Sequence, residues 1–255
     1  MMKRIVKSAL AAAASAALLA SCANVPPGAG ENSADPWESM NRQTFAFNQG
    51  ADKYVFRPVA QGYKAVTPEP VRNCVSNMLS NLTEPRNVLN NALQGKGAGA
   101  FESFMRFIVN STFGLFGCFD VAKMGELEPQ PEDFGQTLGV WGVGNGPYLV
   151  LPFLGPSTIR DTAGRSVNWA SSIQTWVDPS WVGWTVWGVD GLDARTKLLD
   201  MDEVIDSAVD PYAQMRDGYL QYRLNQVYDG NPPAEDFAED PGDGPAPAAS
   251  AAAAK

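Results

Sequence analysis

The sequence predicts an all-α domain with no β-sheet, and three observations carry that expectation. Apolar residues recur at helical spacing in several segments. Proline and glycine fall where helices should start and stop. No run alternates well enough, or holds enough β-branched residues, to argue for a strand. In chain order, a first helix is expected from Glu38 to Tyr54, interrupted near Gly50. Pro70 opens a second, with Val71, Val75, Met78, Leu79 and Leu82 at helical spacing, and Pro85 opens a third that stops at Gly95. From Gly97 to Phe113, residues Phe101, Phe104, Met105 and Ile108 form the clearest amphipathic pattern in the chain. Leu198, Met201, Val204, Ile205 and Ala208 mark another helix. Asp210 and Pro211 then supply an N-cap and a first-turn proline for a last one, carrying Tyr212, Met215, Tyr219 and Tyr222 and ended by Gly230.

Residues 1–21 have the layout of an export signal. Lys3, Arg4 and Lys7 precede an Ala/Leu/Ser run too short to span a bilayer, which ends in Leu19-Ala20-Ser21-Cys22. Those small residues before a cysteine resemble the bacterial lipobox, so Cys22 is expected to carry lipid and to become the first residue after cleavage. Ala23, rather than an aspartate, follows it, which by enteric-type sorting implies the outer membrane. Residues 22–36 read as a flexible tether, 37–230 as one helical domain, and 231–255, rich in Pro, Ala and acidic residues, as a disordered tail.

The whole chain carries 19 basic and 28 acidic residues, a net charge of −9. Without Lys3, Arg4 and Lys7 the balance is 16 against 28, or −12, a surface that repels phosphate backbones and excludes nucleic acid as a partner. The absence of histidine removes Ser-His-Asp and Cys-His nucleophiles and the common imidazole metal sites, so no cofactor or metal is expected. Cys74 and Cys118, an even pair in an exported chain, read most simply as a disulfide, with two buried free thiols as the alternative.

Two stretches depart from an ordinary soluble core. Phe134 to Ile159 holds no charge, yet its glycines and Pro147, Pro152 and Pro156 forbid an unbroken helix, so it must be buried in protein or lie along an interface. Ser172 to Gly191 concentrates Trp176, Trp181, Trp184 and Trp187, which suits either the headgroup zone of a bilayer or a Trp-rich core.

Five blocks together resemble the MlaA (VacJ) family: DPWESMNRQTFAFN (35–48), SNLTEPRNVLNNALQG (80–95), RFIVNSTFGLFGCFDVA (106–122), EDFGQTLGVWGVGNGPYLVLPFLGPSTIRD (132–161) and DPYAQMRDGY (210–219). The resemblance implies a ring-shaped helical domain in the inner leaflet of the outer membrane, with a central amphipathic channel. It also implies a non-enzymatic function: phospholipid astray in the outer leaflet passes through the channel to a soluble periplasmic lipid carrier of the MlaC kind. Trimeric porins are the implied neighbours. On that basis Trp181, Val182, Trp184, Val186 and Trp187 are expected to line or gate the tail path, and Arg160 and Asp161 to lie on the headgroup side, an intradomain ion pair being the alternative for the two charges. Two rivals share the anchor: a purely structural porin partner, and a murein-cleaving lipoprotein using Glu126, Glu128 or Glu132 as a single acid.

Overall fold

The computed structural model describes residues 29–233. The expected signal peptide, lipidated Cys22, the first part of the tether (22–28) and most of the tail lie outside the described residues. Not all of the 22–36 stretch stands apart from the domain, however, because Ala34 and Asp35 are buried in it.

Helix α1 (Glu38–Ala51) runs through one π-helical turn (Asp52–Phe56) into α2 (Arg57–Val66). The expected interruption near Gly50 comes two residues later, where the α-helix ends at Ala51. The irregularity is the π turn, whose Asp52 carboxylate accepts from Arg57 and Arg195, just before Pro58 enters the first turn of α2. Helix α3 (Glu69–Leu93) merges the second and third expected helices into one that contains Pro85. Proline normally breaks a helix interior. Here Asn81 and Glu84 before Pro85 are held by Ser111 and Arg106 of α4, and Asn87 and Asn91 after it by the Glu132 N–H and the Gln130 carbonyl, so both halves are fixed from outside the helix. Then follow α4 (Gly97–Thr112), α5 (Val121–Met124), α6 (Phe134–Val140), a hairpin, α7 (Ile159–Ser171), a 3₁₀ turn (Ile173–Trp176) and α8 (Ser180–Leu198). The helix expected around Leu198–Ala208 is a 3₁₀ turn followed by the short α9 (Asp202–Asp206). Helix α10 (Pro211–Val227) begins as its cap residues require, with the Asp210 carboxylate accepting from the Tyr212 and Ala213 backbone N–H groups.

The expectation of no β-sheet is corrected. Strands β1 (Tyr148–Leu151) and β2 (Gly155–Thr158) pair antiparallel, Tyr148 opposite Thr158 and Leu151 opposite Gly155, inside the uncharged stretch. They escape a reading by alternation because each is four residues long and β2 contains Pro156. Helix α1 completes them: Asn41 donates to the Tyr148 carbonyl at 3.0 Å and accepts from the Val150 N–H at 2.9 Å. One heptad on, Asn48 donates to the Leu151 carbonyl and accepts from the Phe153 N–H. Two carboxamides thus occupy the place of a third strand.

The buried hydrophobic cluster is small, formed by Ala34, Phe45, Tyr148, Val150, Tyr212 and Leu220, with Phe45 and Tyr148 each set edge-on to the Tyr212 ring. A disulfide joins Cys74 on α3 to Cys118, 44 residues later. Closing a loop of that length is worth about 4 kcal/mol in the chain-entropy model.

The hairpin's dependence on α1 is testable. Asn41→Leu keeps the volume but leaves two buried backbone groups unpaired, so unfolding in detergent should show a loss of about 3 kcal/mol. A loss below about 0.5 kcal/mol would mean the hairpin holds itself.

Candidate functional site

Helices α3 and α4 pack along their polar faces. On α4, Ser103, Arg106 and Asn110 are buried while Phe101, Phe104 and Ile108 are exposed. On α3, Asn81, Glu84, Asn87, Asn90 and Asn91 are buried while Val71, Met78, Leu89 and Leu93 are exposed. Arg106 Nε donates to Glu84 at 2.8 Å, and its other nitrogens reach Asp120 and the Leu127 carbonyl. Asn81 donates to Ser111, Asn91 to the Gln130 carbonyl, and Thr137 to Asn90. Among the described residues, more than twice as many polar and charged side chains are buried as hydrophobic ones, and the large hydrophobic side chains stand mostly outside. Soluble domains do the reverse.

A second polar junction joins α6, α7 and α10. Arg223 of α10 donates to both oxygens of Asp161 at 2.9 Å, and to Asp133 at 2.7 and 3.0 Å. Asp133 also caps α6 through a capping box with Gln136, and Thr158 caps α7 through the Asp161 N–H. Gly135 and Gly164 let the helices meet this closely: a Cβ on Gly164 would lie 2.5 Å from the Gly135 nitrogen, and one on Gly135 would lie 2.6 Å from Asp161 Oδ1. A polar cavity of about 240 Å³ opens beside the junction, lined by Asp133, Asp161, Arg165, Tyr219 and Arg223 among others. Burial opposes ionisation of Asp133 and Asp161, but hydrogen bonds and charge from Arg223 outweigh it and hold both carboxyls below their usual range. Asp35 goes the other way. Burial raises its carboxyl despite hydrogen bonds from Tyr212 and Asn41.

The residues singled out from the sequence fall into two places. Arg160 and Asp161 are buried at the start of α7 within this network, Arg160 Nε donating to Asp161 at 3.2 Å. The tryptophans lie on the other side of the molecule's polarity: Trp176 is 78% exposed, and Trp181 and Trp184, on α8, are each 66% exposed. Val182, Val186 and Trp187 of α8 are half-buried. Glu132 is buried against Gln94 and Lys96, while Glu126 and Glu128 are exposed. Among the described residues no group of His, Cys, Asp and Glu could hold a metal ion. Arg223, Asp133 and the asparagine ladder of α3 are not among the site residues expected from the sequence. The signal was present in the polar letters of SNLTEPRNVLNN recurring at helical spacing, the pattern of a helix whose buried face is polar.

The Arg223 junction carries a pH dependence. Both carboxyls titrate lower in the folded protein than unfolded, so their contribution is complete above the unfolded value of about 3.9 and is lost as pH falls through the folded values. Asp161→Asn should lower stability at pH 7 by about 3–5 kcal/mol and flatten the loss of stability below about pH 4, read from thermal melts across pH. An unchanged acid limb in the variant would show that the junction does not control acid stability.

With this geometry in place, the relatives can be compared. The sequence model of the MlaA lipoprotein family matches residues 33–226. The intermembrane phospholipid transport system lipoprotein MlaA of Escherichia coli is 39% identical over 192 residues, covering 73% of this chain and 76% of that one. Its counterpart from Haemophilus influenzae is 36% identical over 203 residues, covering 77% and 80%. A solved structure described as the structural basis for maintenance of bacterial outer membrane lipid asymmetry superposes with a TM-score of 0.68 at 36% identity, covering 77% of this chain and 99% of its own. Over most of its length, and with the polar-centred helical fold just described, this chain belongs to the MlaA lipoprotein family.

Proposed function

We propose that this chain is an outer-membrane lipoprotein that removes phospholipid from the outer leaflet and passes it to a periplasmic lipid carrier, maintaining lipid asymmetry without chemical catalysis. The observation that carries this reading is the inverted polarity. A helical domain with its polar side chains inside and its hydrophobic ones outside suits a lipid environment and an inner passage for headgroups. The loop after α4 supports it further. Leu115 and Phe116 both adopt left-handed backbone conformations, strained for such residues, and they and Phe113 project into the surroundings. Among the described residues no helix is long and apolar enough to cross a membrane. In this reading the domain lies in the inner leaflet as a ring around an amphipathic channel, lipidated at Cys22 and seated against trimeric porins.

The mechanism follows from transfer energetics. Drawing two acyl chains into water exposes some thirty CH₂ groups, on the order of 20 kcal/mol, so unassisted transfer is very slow. A path apolar for tails and polar for headgroups lowers that barrier with no bond made or broken. Trp181, Val182, Trp184, Val186 and Trp187 are assigned to the tail path, and Arg160 and Asp161 to the headgroup side, where Asp161 lines the polar cavity.

In cells lacking their own copy, Trp184→Asp or Val186→Asp should let phospholipid accumulate in the outer leaflet several-fold over wild type, measured by outer-leaflet labelling, and should lower the phospholipid that co-purifies. Normal leaflet composition in both variants, with porin association intact, would favour a structural porin partner. Cys22→Ser should shift the protein out of the outer-membrane fraction. Unchanged fractionation would remove the lipid anchor from the scheme.

A further inference from the structure

We propose that Arg86 and Asp190 bind a zwitterionic phospholipid headgroup, the guanidinium receiving the phosphodiester and the carboxylate the ammonium. The proposal rests on the transport reading and adds the headgroup class to it.

Arg86 lies on α3 just past Pro85, and α3 packs on α8, the helix that carries Asp190. The three fully buried arginines each rest on a carboxylate, Arg106 on Glu84, Arg160 on Asp161, and Arg223 on Asp133 and Asp161, and half-buried Arg72 and Arg165 donate to backbone carbonyls. Among the described residues Arg86 has no such partner. Its Nε is sealed from solvent without a hydrogen bond, and its side chain makes neither a salt bridge nor a hydrogen bond. Three acids act on it through space, Asp133, Asp190 and Glu84, and two of these are taken, Glu84 by Arg106 and Asp133 by Arg223. Asp190 remains, half-buried and likewise without a hydrogen bond or salt bridge among the described residues. The two opposite charges act on each other through space and form no salt bridge. Burial weakens the charged form of each, drawing the Arg86 guanidinium below and the Asp190 carboxyl above its ordinary value.

Charges left unpaired away from water are costly, and a fold that gives its other inward arginines partners has left one half-buried cation and one half-buried anion, on two packed helices, without any. A simple anion would satisfy Arg86 and be repelled by Asp190. A phosphodiester joined to a primary ammonium, as in an ethanolamine headgroup, satisfies both at once. The setting also fits the rest of such a molecule. Val186 and Trp187 lie one turn before Asp190 on α8, so the charged pair adjoins the apolar residues assigned to the tails.

The test uses the full chain in detergent, incubated with vesicles of equal parts phosphatidylethanolamine and phosphatidylglycerol, with bound lipid counted by mass spectrometry. Wild type should carry phosphatidylethanolamine in excess. Arg86→Gln should lose about tenfold of both lipids, as expected for a charge-assisted hydrogen bond, and Arg86→Lys should retain most of the binding. Asp190→Asn should lose the ethanolamine preference and keep the phosphatidylglycerol. Removing an unpaired, half-buried cation should leave the Tm of Arg86→Gln at or above that of wild type. A clear fall in Tm, with lipid lost in step, would make Arg86 a structural residue and overturn the proposal. Competition separates the sources of the phosphate: glycerophosphoethanolamine should displace bound lipid, and displacement by inorganic phosphate as effectively, in wild type and Asp190→Asn alike, would reduce the pair to an anion site and overturn it. If wild type binds lipid and every variant matches it, the headgroup site fails and transport stands. If wild type takes up glycerophosphoethanolamine through Arg86 but no diacyl lipid, transport fails and the site stands.

Discussion

The Arg223 guanidinium holds the starts of two helices against the middle of a third. Asp133 opens α6, Asp161 sits in the first turn of α7, and Arg223 reaches both from α10, with Tyr219 adding a hydrogen bond to Asp161. An ion pair this deep contributes little net stability compared with well-packed apolar residues, but removing one member strands the other. Its role is therefore positional. The glycine contact between α6 and α7 is too close to tolerate a methyl group, and the Asp133, Asp161 and Arg223 side chains crowd directly beside it.

The same logic extends along α3 and α4. A soluble helical domain gains most of its stability by hiding apolar surface from water, about 25 cal/mol per Å². Here the apolar faces of both helices point outward, so in a lipid environment that gain is available at the surface and the interior must be held together by other means. Hydrogen bonds and ion pairs supply them: Glu84 to Arg106, the asparagines to backbone and hydroxyl partners, and Gln94 to Glu132 and Thr137. The disulfide between Cys74 and Cys118 fastens the end of this polar seam that lies nearest the exposed loop.

Much of the helical framework was legible in the sequence, and the misses have physical causes. Helix α10 could be placed because Asp210-Pro211 is a local signal, read by the backbone next to it. The run from Gly97 was equally clear as a helix, but periodicity is the same whether the apolar face looks inward or outward, so the direction of burial was not. Pro85 was read as a start because a proline's effect is local, whereas the contacts that carry α3 through it come from α4 and beyond. The hairpin was invisible because its strands are four residues long and β2 holds Pro156, and the groups that complete the outer edge of β1 come from Asn41, more than 100 residues earlier in the chain. Arg160 and Asp161 stood out as the first charges after a long neutral stretch, but the partner that binds Asp161 most fully, Arg223, lies 62 residues further on.

The use of Asn41 and Asn48 in place of a strand has a consequence for how copies of this protein coexist. A bare edge on β1 would offer its N–H and C=O groups to any neighbour, and crowding many copies on one surface multiplies such encounters. Side chains anchored on a rigid helix have already claimed the Tyr148, Val150 and Leu151 groups, and unlike a mobile third strand they cannot be exchanged for the strand of another molecule. On that edge, runaway polymerisation is closed off by two amides.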